Sequence, residues 1–119
     1  MSQEAAARVQ ALNCEVHSTP EETTVVCTGK ITSDSTAFLQ QVVQPLIPRT
    51  KRIQLDLMNV EHMDSSGMGM LVKLWISTKR ADCDFKVTHL NERIKDLLRI
   101  SNLSKILEGD QEYHKYLGA

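Results

Sequence analysis

The sequence has no apolar run near the ~18 residues that a membrane-spanning helix needs, and its opening Met-Ser-Gln-Glu-Ala-Ala-Ala-Arg lacks the long apolar core of a signal peptide. A cytoplasmic chain with no membrane insertion is expected. Charge of one sign is also missing: 14 Lys and Arg stand against 15 Asp and Glu, a net charge of −1. A nucleic-acid binder normally carries a strongly basic balance or patch, so no nucleic acid is expected as a partner. The three cysteines, Cys14, Cys27 and Cys83, are odd in number and far apart, with no C-x-x-C pair. They read as reduced structural thiols. The four histidines, His17, His62, His89 and His114, form no H-x-x-x-H or H-E-x-x-H, so neither a metal nor another cofactor is implied. Catalytic signatures fail in the same way. A nucleophile elbow needs glycine where Asp64 stands, a dinucleotide fingerprint needs glycine where Val72 stands, and no phosphate-cradling lysine is present. No catalytic residue is assigned.

What is there fits one α/β domain. At 119 residues the chain can bury a real core without disulfides or a structural metal. Residues 1–10 read as a flexible lead-in, and residues 11–119 as the domain. Asn13–His17 and the β-branched run Thr23–Thr28, stopped by Gly29, predict an opening hairpin across a Ser-Thr-Pro turn. Ser33 or Asp34 can cap a helix carrying Ala37, Phe38, Val42, Val43 and Leu46, closed by Pro48. Ile53, Leu55 and Leu57 alternate with Gln54 and Asp56, and Met58, Val60 and Met63 keep the strand apolar, as expected where most of its area is covered. A helix from about Met68 to Arg80 follows. Phe85–Leu90 reads as a strand, Asn91 caps a helix with Ile94, Leu97, Leu98 and Ile100, and Ile106–Leu107 could add a short last strand before a terminal helix with Tyr113, Tyr116 and Leu117. An opening hairpin followed by alternating helices and strands predicts a sheet with about four helices packed against it.

The most informative stretch is Asp64-Ser65-Ser66-Gly67-Met68-Gly69, because two hydroxyls sit where a strand hands the chain to a helix N-terminus. The first backbone N–H groups of a helix lack partners, and the macrodipole adds about half a positive charge, so a phosphoryl group is tolerated there. On a wheel at about 100° per residue, Met68, Met70, Leu71, Val72, Leu74, Trp75 and Ile76 fill an apolar arc. Ser66, Gly69, Lys73, Ser77 and Arg80 share the polar stripe, so Ser66 is predicted to point outward. Ser65 projects toward the sector of Val72 and Ile76, better placed for capping or for packing near the core. The blander account, in which Asp64, Ser65 and Ser66 only cap the helix and the glycines admit a neighbour, uses the same residues.

Leu55-Asp56-Leu57-Met58-Asn59-Val60 followed by His62-Met63-Asp64-Ser65-Ser66-Gly67-Met68-Gly69 resembles the STAS domain of bacterial anti-sigma factor antagonists, over roughly residues 12 to 109. The resemblance implies a STAS-like mixed β-sheet flanked by helices and a non-enzymatic partner switch. In it the unphosphorylated domain binds an anti-sigma factor that is also a serine kinase, a GHKL-type ATPase. Phosphorylation at the position of Ser66 ends that complex, and a PP2C-type phosphatase restores it. Asp64, Ser65 and Gly67 then form the phosphosite loop, and Thr32, Met68, Gly69 and Lys73 belong to the partner surface. Thr32 is a departure, since relatives often carry an acidic residue at the end of a G-[ED]-L-D motif where this chain has Gly29-Lys30-Ile31-Thr32. Rival roles on the same fold are an accessory subunit of a lipid-transporting ABC complex, a small-ligand sensor and a stressosome scaffold. The transporter relatives typically carry D-T-A-G at this turn, which Asp64-Ser65-Ser66-Gly67 does not match.

Overall fold

In a computed structural model, which describes residues 11–107, the opening segment is the expected hairpin. β1 (Leu12–Ser18) pairs antiparallel with β2 (Thr23–Ile31), and the turn is closed by Thr19, whose N–H donates to the Glu22 carbonyl at 2.8 Å. Gly29 does not stop β2. Its φ of +119°, a conformation open to glycine, lets the strand continue past the Ala11 carbonyl, which a β-carbon would strike, to Ile31.

β2 pairs in parallel with β3 (Arg52–Met63), and β3 in parallel with β4 (Asp84–Thr88), giving a four-stranded mixed sheet in the order β1-β2-β3-β4. Parallel neighbours require crossovers, which are supplied by α1 (Thr36–Val43) with a 3-10 turn (Gln44–Arg49), and by α2 (Ser65–Arg80). The first helix ends earlier than Pro48. Pro45, at the start of the 3-10 turn, cannot donate the backbone bond that would carry α1 onward. Neither Ser33 nor Asp34 caps α1; its N-cap is Ser35, whose hydroxyl is engaged in the preceding loop. α3 (Glu92–Ile100) starts where expected, with the Asn91 side chain accepting the Ile94 N–H at 2.8 Å. Ile106 and Leu107 are not a strand. They lie in α4 (Ser104–Leu107), where Leu107 is fully buried and Ser101–Leu103 turn the chain back after α3. The expected terminal helix lies outside the described residues.

One face of the sheet makes the core. Thr23, Val25 and Cys27 on β2, Ile53, Leu55 and Leu57 on β3, and Phe85 and Val87 on β4 are buried. The alternate residues Thr24, Val26, Gln54, Asp56, Lys86 and Thr88 are half-buried, and Met58 is exposed. β3 is therefore covered on one face, not over most of its area, and the period-2 pattern is the mark of that arrangement. α1 packs on β1 and β2, α2 on β3 and β4, and α4 joins them, with Leu39, Val43, Leu71, Leu74, Ile94 and Leu98 completing the interior. About 1.5–3 kcal/mol per fully buried aliphatic side chain makes this layer the main source of stability.

Candidate functional site

Ile31 and Met63 are register partners, so β2 and β3 finish side by side and deliver two connections to one edge of the sheet. α2 begins at once. Asp64 is its N-cap, in extended conformation (φ −105°, ψ −174°), and one carboxylate oxygen accepts the Gly67 N–H at 2.9 Å. The other oxygen accepts the Ser33 N–H at 3.3 Å, and the Asp64 N–H donates to the Ile31 carbonyl at 3.3 Å. One side chain thus ties the helix start to the β2–α1 loop. That loop is fixed by Ser35, whose Oγ accepts the Thr32 N–H at 3.0 Å and donates to the Lys30 carbonyl at 2.7 Å. The Gly67 N–H holds the Asp64 carboxyl below the usual carboxylate range, and the Ser33 and Ser66 N–H groups and His62 reinforce it against partial desolvation.

Gly67 is buried against β2. A β-carbon there would collide with the Ile31 carbonyl oxygen and come within 2.8 Å of Met63 Cγ. Gly69, two residues on, is exposed, with nothing within 4 Å of where its β-carbon would be. Ser66 is exposed as expected, but so is Ser65. The sector that Ser65 faces is not core, because Val72 is half-buried and Ile76 is 40% exposed. Exposure alone does not separate the two serines, and the capping role belongs to Asp64.

The buried stripe of α2 is narrower than the apolar arc: Gly67, Leu71, Leu74 and Thr78. Met68, Met70, Val72 and Trp75 are half-buried. The opposite stripe, Ser66, Gly69, Lys73, Ile76 and Arg80, is exposed, while Ser77 is half-buried. Asp64 to Gly69 and the Thr32 loop gather at one end, with Thr32 half-buried; Lys73 lies two turns along α2, about 10.5 Å from Ser66 by helical rise. The methionines split: Met63 is 2% exposed, Met58 is 61% exposed, and Met68 accepts a hydrogen bond on sulfur from the Ser101 hydroxyl at 3.6 Å. Trp75, on the apolar arc, is half-buried against the core, with Lys79 Nζ 5.8 Å from its ring centre. Sequence reasoning missed Ser33, Ser35 and Ser101 as supports. Ser33 and Ser101 act across the fold, over 31 and 33 positions, where no local pattern announces a bond, whereas Ser35 bonds Thr32 and Lys30 within its own loop.

This arrangement is a helix N-terminus with two exposed hydroxyls, held by one pinned carboxylate, on a mixed sheet covered on one face. The profile of the STAS family described as "Mlab, STAS domain" matches residues 14–108. The chain belongs to the STAS domain family. It is 27% identical over 97 residues, 82% of this chain and 89% of the other, to the anti-sigma-B factor antagonist of Bacillus subtilis. Its fold is similar to the unphosphorylated anti-sigma factor antagonist SpoIIAA of Bacillus, with a TM-score of 0.70 at 12% identity, covering 90% of this chain and 98% of that one. A segment of the murine Slc26a9 anion transporter is also similar, with a TM-score of 0.68 at 11% identity, covering 82% of this chain and 20% of that one. The two structural likenesses concern the fold, and one fold hosts several functions.

Proposed function

We propose that this protein is an anti-sigma factor antagonist whose binding to a serine-kinase anti-sigma factor is set by phosphorylation of Ser66. The observation that carries the reading is the exposed stripe of α2, in which Ser66, Gly69 and Lys73 stand in line from a helix N-terminus. The similarity to the Bacillus subtilis antagonist supports it. The domain is then substrate and not catalyst: a GHKL-type ATPase adds the phosphate and a PP2C-type phosphatase removes it. Asp64, Ser65 and Gly67 form the phosphosite loop, and Thr32, Met68, Gly69 and Lys73 belong to the surface that the kinase meets.

The charge logic follows from Asp64. Its carboxylate already occupies the Gly67 N–H, a donor that would otherwise neutralise an anion at this helix start. A phosphate on Ser66 adds about −1.5 to −2 charges beside it. Desolvating that cluster under a partner at a penalty of ~3 kcal/mol weakens the complex roughly a hundredfold, with no change of shape in this domain.

The test is capture from native lysate on wild-type, Ser66→Ala and Ser66→Asp baits, with mass spectrometry of the bound proteins and of residue 66. Retention of a histidine-kinase-like ATPase by wild type and Ser66→Ala, and its loss from Ser66→Asp, is the expected result. Identical proteins on all three baits, with no phosphate at Ser66, would refute the switch. A second reading is the accessory STAS subunit of a lipid-transporting ABC complex. A transporter ATPase retained equally by all three baits would establish that reading in place of the first.

A further inference from the structure

Cys14 and Cys27, 13 positions apart and unrelated by any sequence motif, are directly opposed residues of the β1–β2 ladder. Their sulfurs lie 3.8 Å apart. Opposed residues in an antiparallel ladder have Cα separations of about 4.5–5.5 Å, inside the range a disulfide spans, so side-chain rotation alone can bring the sulfurs to bonding distance. The two thiols differ in access: Cys14 is half-buried on the edge strand, whereas Cys27 is fully buried on an interior strand. They differ in chemistry too. The hydrogen bond with Cys27 lowers the pKa of Cys14, and the same bond together with burial raises that of Cys27. The third thiol, Cys83, is buried on the other side of the sheet order beside β4, and desolvation raises its pKa.

We propose that Cys14 and Cys27 are a reversible oxidation site at which a hydroperoxide forms a cross-strand disulfide stapling β1 to β2. Cys14 thiolate attacks the distal peroxide oxygen, forming a sulfenic acid as the O–O bond breaks; with hydrogen peroxide, hydroxide leaves and takes up the proton that the Cys14 thiol had released, giving water. The Cys27 sulfur then attacks the Cys14 sulfur and its proton leaves with the displaced hydroxyl as a second water. Two thiols lose two electrons, and one peroxide gains them. Thiol exchange with a small dithiol reverses the step. The three cysteines are thus not equivalent structural thiols, and the inference stands whether or not Ser66 is a phosphosite.

The test uses the full chain treated with hydrogen peroxide. Titratable thiols measured in denaturant are expected to fall from three to one per chain. Arg8 and Lys30 bracket both cysteines, so tryptic peptide 9–30 becomes about 2 Da lighter, resists alkylation and recovers with dithiothreitol. Glu-C digestion, cutting at Glu15, Glu21 and Glu22, leaves the two halves joined until reduction. The urea midpoint of the oxidised protein rises above that of the reduced protein. Cys14→Ser and Cys14→Ala, which leave the buried Cys27 in place, abolish the mass shift and the rise. Over-oxidation of Cys14 with Cys27 still alkylatable, disulfide-linked dimers, or oxidation of Cys83 at a lower dose would each overturn the proposal.

Discussion

Gly67 and Gly69 sit two residues apart on one helix and face opposite worlds. At Gly67 the helix lies so close to the end of β2 that a β-carbon has no room beside the Ile31 carbonyl. At Gly69 a β-carbon would meet nothing within 4 Å. A glycine inside a helix costs about 0.5–1 kcal/mol relative to alanine, so each position needs a compensating reason. The fold supplies that reason for Gly67, because close approach lets Asp64 bond both the β2–α1 loop and its own helix. Nothing inside the described residues supplies one for Gly69. The difference separates residues that build the site from residues that the site presents.

The largest effect should come from closing the gap at the inner position. Gly67→Ala must push α2 off β2, and overpacking of this kind should cost about 3 kcal/mol, read as a lower urea midpoint. An unchanged midpoint would mean that helix and strand part easily and that Gly67 is no more structural than Gly69. A smaller loss is expected for Asp64→Ala, which frees the Gly67 and Ser33 N–H groups together. The folded-state pKa of Asp64 lies below its unfolded value, so its contribution is fully present above about pH 4 and lost as pH falls through the folded pKa. Wild type should therefore lose stability on acidification below pH 4 more steeply than Asp64→Ala. Parallel pH profiles for the two would show that the carboxylate bonds do not hold the site.

Much of this was legible in the sequence, for reasons that differ by element. Alternation of Ile53, Leu55 and Leu57 with Gln54 and Asp56 fixes β3, and the Asn91 cap fixes the start of α3, because each signal is local. The D-S-S-G stretch likewise marks where a strand becomes a helix. Ile106–Leu107 misled because two apolar residues carry no period, and the burial of Leu107 in a helical turn is a tertiary matter. The early end of α1 turned on Pro45, outweighing the helical spacing of Val42, Val43 and Leu46. The contacts that assemble the site were beyond reach for a different reason. Asp64 with Ser33, Gly67 with Ile31, and Cys14 with Cys27 exist only once register and crossover are set.

The smallest expected effect is also the most discriminating. Gly69→Ala should raise the stability of the free protein by about 0.5–1 kcal/mol, since the added methyl enters open space and the unfolded chain loses freedom. If the stripe of Ser66, Gly69 and Lys73 is where the kinase docks, the same methyl should stand between two closely approaching surfaces and weaken binding by about tenfold, equivalent to ~1.4 kcal/mol. Stability and affinity would then move in opposite directions for one substitution, which no general disturbance of the helix can produce. The pair of measurements is an unfolding curve of the free protein and a titration against the ATPase recovered on the unphosphorylated bait. Improved stability with unchanged affinity would place the partner elsewhere and leave Gly69 without a role. Reduced stability would instead reveal a neighbour for Gly69 within this chain, and the contrast between the two glycines would fall.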